Sequence, residues 1–263
     1  MAHPKALRVS LLYLLLITAA LAPACGGSSP SAPDPTPTAP APQTTAVTYS
    51  GTFQNSNDSY GSITLIAQIP VALLASVDGV SQPRAIATAT GTLKPGPNAT
   101  IPLTGTFDTV TGKFNVTGGG FTIAATVTST ADGAIVNGTI TSSTTQGSMV
   151  ALPPPATGSI ITYCGNYTGG SGGTLVVTRR DNKLVALVAE HNETAPYSIN
   201  GTLTGTAVNL SFTWAPPDVG STTVTGTLNG TVITGTWMSN FVEGGRQMSE
   251  HGDWVVRAGN CPL

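Results

Sequence analysis

The feature that most constrains this chain is that its second half repeats its first. Thr48-Tyr49-Ser50-Gly51-Thr52-Phe53 returns as Thr162-Tyr163-Cys164-Gly165-Asn166-Tyr167, and Thr90-Gly91-Thr92-Leu93 returns as Asn200-Gly201-Thr202-Leu203. Gly133-Ala134-Ile135-Val136-Asn137-Gly138-Thr139-Ile140 returns as Gly230-Thr231-Val232-Ile233-Thr234-Gly235-Thr236-Trp237. The blocks keep their order, and each half has the length of a small domain. The chain therefore divides into two homologous units, 47–152 and 160–263, joined by a linker over 153–159 that is stiffened by Pro153-Pro154-Pro155.

Each unit is built of strands. Val208, Leu210, Phe212 and Trp214 alternate with polar or small residues, as do Phe121, Ile123, Ala125 and Val127. A period of two places apolar side chains on one face, which predicts antiparallel sheet with one face dry and one wet. The second unit divides into eight strands, near 161–167, 173–179, 183–190, 197–204, 207–214, 221–228, 231–238 and 253–258. Turn residues fall between them, among them Asp181-Asn182, Gly205-Thr206 and Asn229-Gly230. Tight turns make sequence neighbours spatial neighbours. Eight meandering strands hide their edges by closing on themselves. The expected fold class is all-β: two tandem antiparallel meander barrels of about eight strands each. Inward glycines such as Gly201, Gly226 and Gly235 suit the coiling that closure demands. No segment after the N-terminal apolar run has a convincing helical period; Val71 to Val77 is allowed a turn or so.

In a closed meander the first strand lies beside the last. Cys164 sits on the first strand of the second unit and Cys261 just after its eighth, so the two are expected to form a disulfide. The first unit has Ser50 at the matching position and no cysteine of its own.

The N-terminus carries an address. Lys5 and Arg8 precede the apolar run Val9 to Ala20, which has the length of a signal-peptide core and is too short to span a bilayer. It leads into Leu21-Ala22-Pro23-Ala24-Cys25-Gly26, which resembles the lipobox of bacterial lipoproteins; that family prefers Leu where this chain has Ala22. The resemblance implies a signal peptide over 1–24, a lipid on the Cys25 thiol and cleavage before it. An ordinary secretory signal cut near Ala24, leaving Cys25 as a free thiol, is the alternative. Residues 25–46 are rich in Pro, Ser and Thr and hold too few apolar groups to form a core, which makes them a solvated tether. In that family a chain without aspartate after the cysteine is commonly carried to the outer membrane. The expected partner there is the membrane, through the N-terminal lipid.

Charge narrows the function classes. Lys and Arg number 10 against 12 Asp and Glu, and the only adjacent basic pair is Arg179-Arg180. Nucleic acid binding needs a basic face, so it is not expected. No nucleophile elbow, phosphate-binding loop or dinucleotide fingerprint occurs, and no catalytic residue or cofactor is assigned.

The second unit resembles the avidin and lipocalin kind of up-and-down barrel in Gly165-Asn166-Tyr167, Phe212-Thr213-Trp214, Thr236-Trp237 and Asp253-Trp254. Those barrels hold small ligands in the barrel mouth against aromatic walls. The resemblance thus implies an apolar ligand beside Tyr167, Trp214, Trp237 or Trp254. The polar residues that avidins use for biotin have no convincing matches here, so biotin specificity does not carry over. For the tryptophans, plain core filling is the competing reading.

Loops after alternate strands of this unit open at one end and collect charge. They hold Glu190, His191 and Glu193; Asp218; and Glu243, Arg246, Glu250, His251 and Asp253. A long connection over 238–252 leaves that rim adjustable. Glu190, His191 and His251 are candidate ligand contacts. No metal site is assigned, because loops are where a sheet protein keeps its charges. Three classes remain: a non-enzymatic binding module using the second barrel's mouth, a structural or adhesive spacer without a pocket, and an enzyme built on the His and carboxylate rim. The first is the reading adopted.

Overall fold

The computed structural model describes residues 43–56, 59–70, 85–96, 98–130, 133–155, 158–191, 196–214, 219–259 and 261. The leader, Cys25, most of the tether, and the segment Val71 to Val77 lie outside the described residues. The N-terminal barrel comprises β1 (Thr44–Asn55), β2 (Tyr60–Pro70), β3 (Ile86–Gly96), β4 (Ala99–Asp108), β5 (Lys113–Gly118), β6 (Phe121–Thr130), β7 (Gly133–Thr141) and β8 (Gln146–Leu152). The C-terminal barrel comprises β9 (Ile161–Gly169), β10 (Gly173–Arg180), β11 (Lys183–Glu190), β12 (Tyr197–Thr204), β13 (Ala207–Trp214), β14 (Val219–Asn229), β15 (Val232–Glu243) and β16 (Arg246–Ala258).

Within each barrel every strand pairs antiparallel with its neighbours in sequence, and both sheets close. Ser50 to Asn55 of β1 pair with Leu152 to Gly147 of β8, and Tyr163 to Gly169 of β9 pair with Ala258 to Gly252 of β16. The expected fold of two eight-stranded meander barrels is the one observed. The Cys164–Cys261 disulfide is also present, with Cα atoms 5.2 Å apart, tying the first strand of the C-terminal barrel to the chain just after its last.

The period-two pattern sets which side chains point inward. Along β2, Ile63, Leu65 and Ala67 are buried while Ser62, Thr64 and Gln68 are only half-buried. The N-terminal barrel is filled by its own side chains: Tyr49, Phe53, Phe107, Phe114 and Met149 stack with leucines and isoleucines from the other strands. The Phe114 ring lies 5.9 Å from Tyr49, edge-on, and 4.5 Å from Phe107.

Three details differ from the sequence reading. Thr44 to Ala46 belong to β1, paired with Pro70 to Gln68, so the tether ends earlier than position 46. The connection expected over 238–252 is instead the far end of a long hairpin, in which Met238 to Glu243 pair with His251 to Arg246. Its two-residue turn, Gly244-Gly245, has φ values of 56° and 79°, the left-handed pair that a tight right-twisting hairpin needs.

The third difference concerns β10 and β11, which are buried on both faces. Leu184, Ala186 and Val188 point into their own barrel, yet the outward Val185, Leu187 and Ala189 are buried as well. The two barrels pack side by side. Val185 and Leu187 form a cluster with Ile135, Val150 and Leu152 of the N-terminal barrel. Polar groups at this seam are paired across it: the Thr52 and Thr178 hydroxyls lie 3.0 Å apart, and Gln54 Nε2 donates to the Thr174 hydroxyl. Ser148 donates to the Pro196 carbonyl, and Lys183 Nζ donates to the Gly133 carbonyl at 3.2 Å. These bonds offset the cost of burying the groups that make them, while Gln54 Oε1 stays buried without a hydrogen-bond partner.

Candidate functional site

The C-terminal barrel holds a cavity of about 370 Å³ toward the end where β11 finishes and β16 begins. That is within the size range of small-molecule sites. All three tryptophans of the chain line it: Trp214 from β13, Trp237 from β15 and Trp254 from β16. Tyr167, Tyr197 and Phe241 complete the aromatic lining. Leu175, Val188, Ile199 and Val224 supply aliphatic wall.

The larger rings do not fill this barrel, and the reason lies in its glycines. Trp254 lies against Gly226 and Gly235, where an added Cβ would come within 2.7 Å of its indole. Trp237 lies against Gly252 in the same way, 2.7 Å from the position of a Cβ. The indoles therefore sit close to the barrel wall instead of across its centre. Each is pinned by its N–H: Trp237 Nε1 donates to the Thr168 carbonyl at 3.0 Å, and Trp254 Nε1 to the Thr225 carbonyl at 3.0 Å. Tyr167 meets Trp237 edge-on at 5.9 Å, and Tyr197, Phe212 and Trp214 form a second aromatic group with centroids 5.2 to 5.9 Å apart. Such contacts hold ring positions beyond what area burial alone provides.

The repeat shows what changed between the halves. Phe53 stands at the position of Tyr167, and Ile140 at that of Trp237. Both are about 1% exposed and complete the packed interior of the N-terminal barrel.

Three polar groups of the lining share one rung of the sheet. Thr222 pairs with Phe212 on one side and Ser239 on the other, and Ser239 pairs with Glu250. Trp214 Nε1 donates to Thr222 Oγ1 at 3.2 Å, and the Thr222 and Ser239 hydroxyls lie 2.9 Å apart. Whichever hydroxyl donates within that pair, one hydrogen is used and the other remains for an acceptor. Sequence reasoning missed this pair. Thr and Ser are abundant on every strand, and only the register distinguishes these two.

The expected site residues divide. Tyr167, Trp214, Trp237, Trp254 and Glu190 all line the cavity, as does Glu250 from the charged rim. His191 and His251 do not line it: His191 is exposed in the turn after β11, and His251 pairs with Met238 on the outward-facing side of the hairpin. The strand period explains His251, since Glu250, Gly252 and Trp254 take the inward positions. Arg246 and Asp253 are exposed. Glu193 and Asp218 lie outside the described residues. Among the described residues no three His, Cys, Asp or Glu side chains converge as metal ligands would.

No protein-family model matches the sequence, and no curated protein matches it. Among solved structures, the chain is similar to that of apo Bradavidin2 (Form B), at 17% identity, over 36% of this chain and 95% of that one, with a TM-score of 0.30.

Proposed function

We propose that this protein is a membrane-tethered, non-enzymatic binding module that takes a small, largely apolar ligand into the mouth of its C-terminal barrel. One observation carries the reading. Every tryptophan of the chain lines a single cavity, with Trp237 and Trp254 held to the wall over glycines and Trp214 donating to a buried hydroxyl pair that has a hydrogen to spare. A spacer has no use for such a space; the N-terminal barrel, with its packed aromatic interior, is what a spacer would look like.

The experiment is a titration of the full chain with the neutral apolar fluorophore N-phenyl-1-naphthylamine. Because all the tryptophans lie at the cavity, indole emission reports this site alone. Saturable one-to-one quenching, weakened in Trp237→Ala, supports the reading. No saturable change returns the spacer as the better account.

The membrane tether rests on the short apolar run from Val9 to Ala20, on Cys25 and on the Pro-rich segment after it. The Cys164–Cys261 disulfide agrees with export to an oxidising compartment, the outer membrane facing the periplasm or the cell surface. Cys25→Ser leaves the protein unlabelled by radioactive palmitate and released from the membrane fraction; unchanged membrane partition would refute lipidation.

A further inference from the structure

Granted that the C-terminal cavity is a ligand site, the chemistry of its lining specifies more than an apolar body. The lining contains two carboxylates, Glu190 at the end of β11 and Glu250 on β16, and no Lys, Arg or His. Glu250 occupies an inward position of its strand, on the same rung as Ser239 and Thr222. Among the described residues no basic group forms an ion pair with it. The rest of the wall is aromatic, and the faces of Trp and Tyr rings carry negative potential. Two independent features, the ring faces and the Glu250 carboxylate, thus set the same sign.

We infer that the C-terminal cavity, on its reading as a binding site, selects an organic cation, a small molecule with an apolar body and an ammonium or amidinium group. The body lies against Trp237, Trp254 and Tyr167, and the cationic head sits at the Glu250 rung, where the carboxylate and the Ser239 oxygen accept its N–H groups. Hydroxyl and carboxylate are both acceptors there, and an ionised carboxylate accepts only. An inorganic cation does not account for the site. A space of about 370 Å³ is far larger than one ion, and no three-ligand metal set converges there among the described residues. A ligand bearing a carboxylate is disfavoured, because it would meet like charge with no basic partner in the lining.

The test compares three molecules sharing a phenylalkyl body: 2-phenylethylamine, 2-phenylethanol and 3-phenylpropanoate. Each is titrated into the full chain and followed by indole emission and by calorimetry. The amine is expected to bind about tenfold more tightly than the alcohol, equivalent to about 1.4 kcal/mol, with the acid weakest. Raising salt to about 1 M, where the Debye length falls to about 3 Å, narrows the gap. Glu250→Gln brings the amine to within about threefold of the alcohol. Equal affinity for amine and alcohol, a preference for the acid, or an amine preference retained in full by Glu250→Gln would each overturn the cation assignment while leaving the site standing. Silence with all three molecules by both methods would overturn the assignment and the binding function together.

Discussion

Truncating Leu187 to alanine distinguishes a pair of barrels that pack from a pair that merely share a chain. Leu187 points away from the interior of its own barrel, yet it is 0% exposed, clustered with Ile135, Val150 and Leu152 of the other barrel. If the barrels were independent, this position would face water, and removing the side chain would cost under about 0.5 kcal/mol. In the packed arrangement the substitution removes three buried carbons at about 0.8 kcal/mol each and leaves a hole at the seam. The expected loss is about 2–5 kcal/mol, the range for Leu→Ala in a core. Urea unfolding followed by tryptophan emission measures it, since every indole lies in the C-terminal barrel. The sharper version is a double-mutant cycle with Leu152→Ala, which lies on the other barrel and is also 0% exposed. A coupling of about 0.5–3 kcal/mol is expected for residues in one cluster. Additivity within about 0.3 kcal/mol, or a negligible effect of Leu187→Ala alone, would refute the shared seam.

Other parts of the structure make separate predictions. Gly235→Ala places a Cβ 2.7 Å from Trp254 Nε1 and closer still to the Thr225 carbonyl oxygen, so it lowers stability by about 1–3 kcal/mol and weakens ligand binding. An unchanged urea midpoint and titration would show that the seat is not tight. Reducing the disulfide, or Cys164→Ser, removes a cross-link between positions 97 residues apart. Stability is expected to fall by up to about 4.7 kcal/mol on the chain-entropy account, and reductant should shift the wild-type urea midpoint but not the variant's. Burial pushes the Tyr49 phenol above its ordinary value, and Tyr60 in the same direction. The folded chain then holds these protons more tightly than the unfolded one, so their contribution is intact below about pH 10 and is lost as pH rises further. Tyrosine absorbance titrating no higher than in the urea-unfolded chain would contradict this.

The barrels were legible because closure leaves several local traces at once: the ordered repeat, alternating strands, turn residues between them, and two cysteines placed where the first and last strands must meet. The seam was legible in part. Leu184-Val185-Ala186-Leu187-Val188-Ala189 is an unbroken apolar run, which marks a strand buried on both faces. A half-buried reading suits β13 but not β11. Gly244-Gly245 likewise marks a two-residue hairpin inside a stretch whose polar residues suggested a loop. The cavity left no such trace. Whether eight strands leave room depends on how all their inward side chains divide a common volume. Tyr167 and Trp237 are larger than the Phe53 and Ile140 that fill the other barrel. They leave space because Gly252, distant in sequence, lets an indole lie flat.

The seam has a further consequence for assembly. Two related barrels that met as separate subunits would associate by a second-order equilibrium, and their contact would dissolve on dilution. Here a linker of a few residues, 153–159, carries both partners, so docking is intramolecular and its effective concentration does not depend on expression level. A protein present as a few scattered copies keeps the outer faces of β10 and β11 covered as completely as one at high density. The filled barrel thereby serves as a permanent escort for the hollow one. It covers an apolar surface that the C-terminal barrel alone would expose.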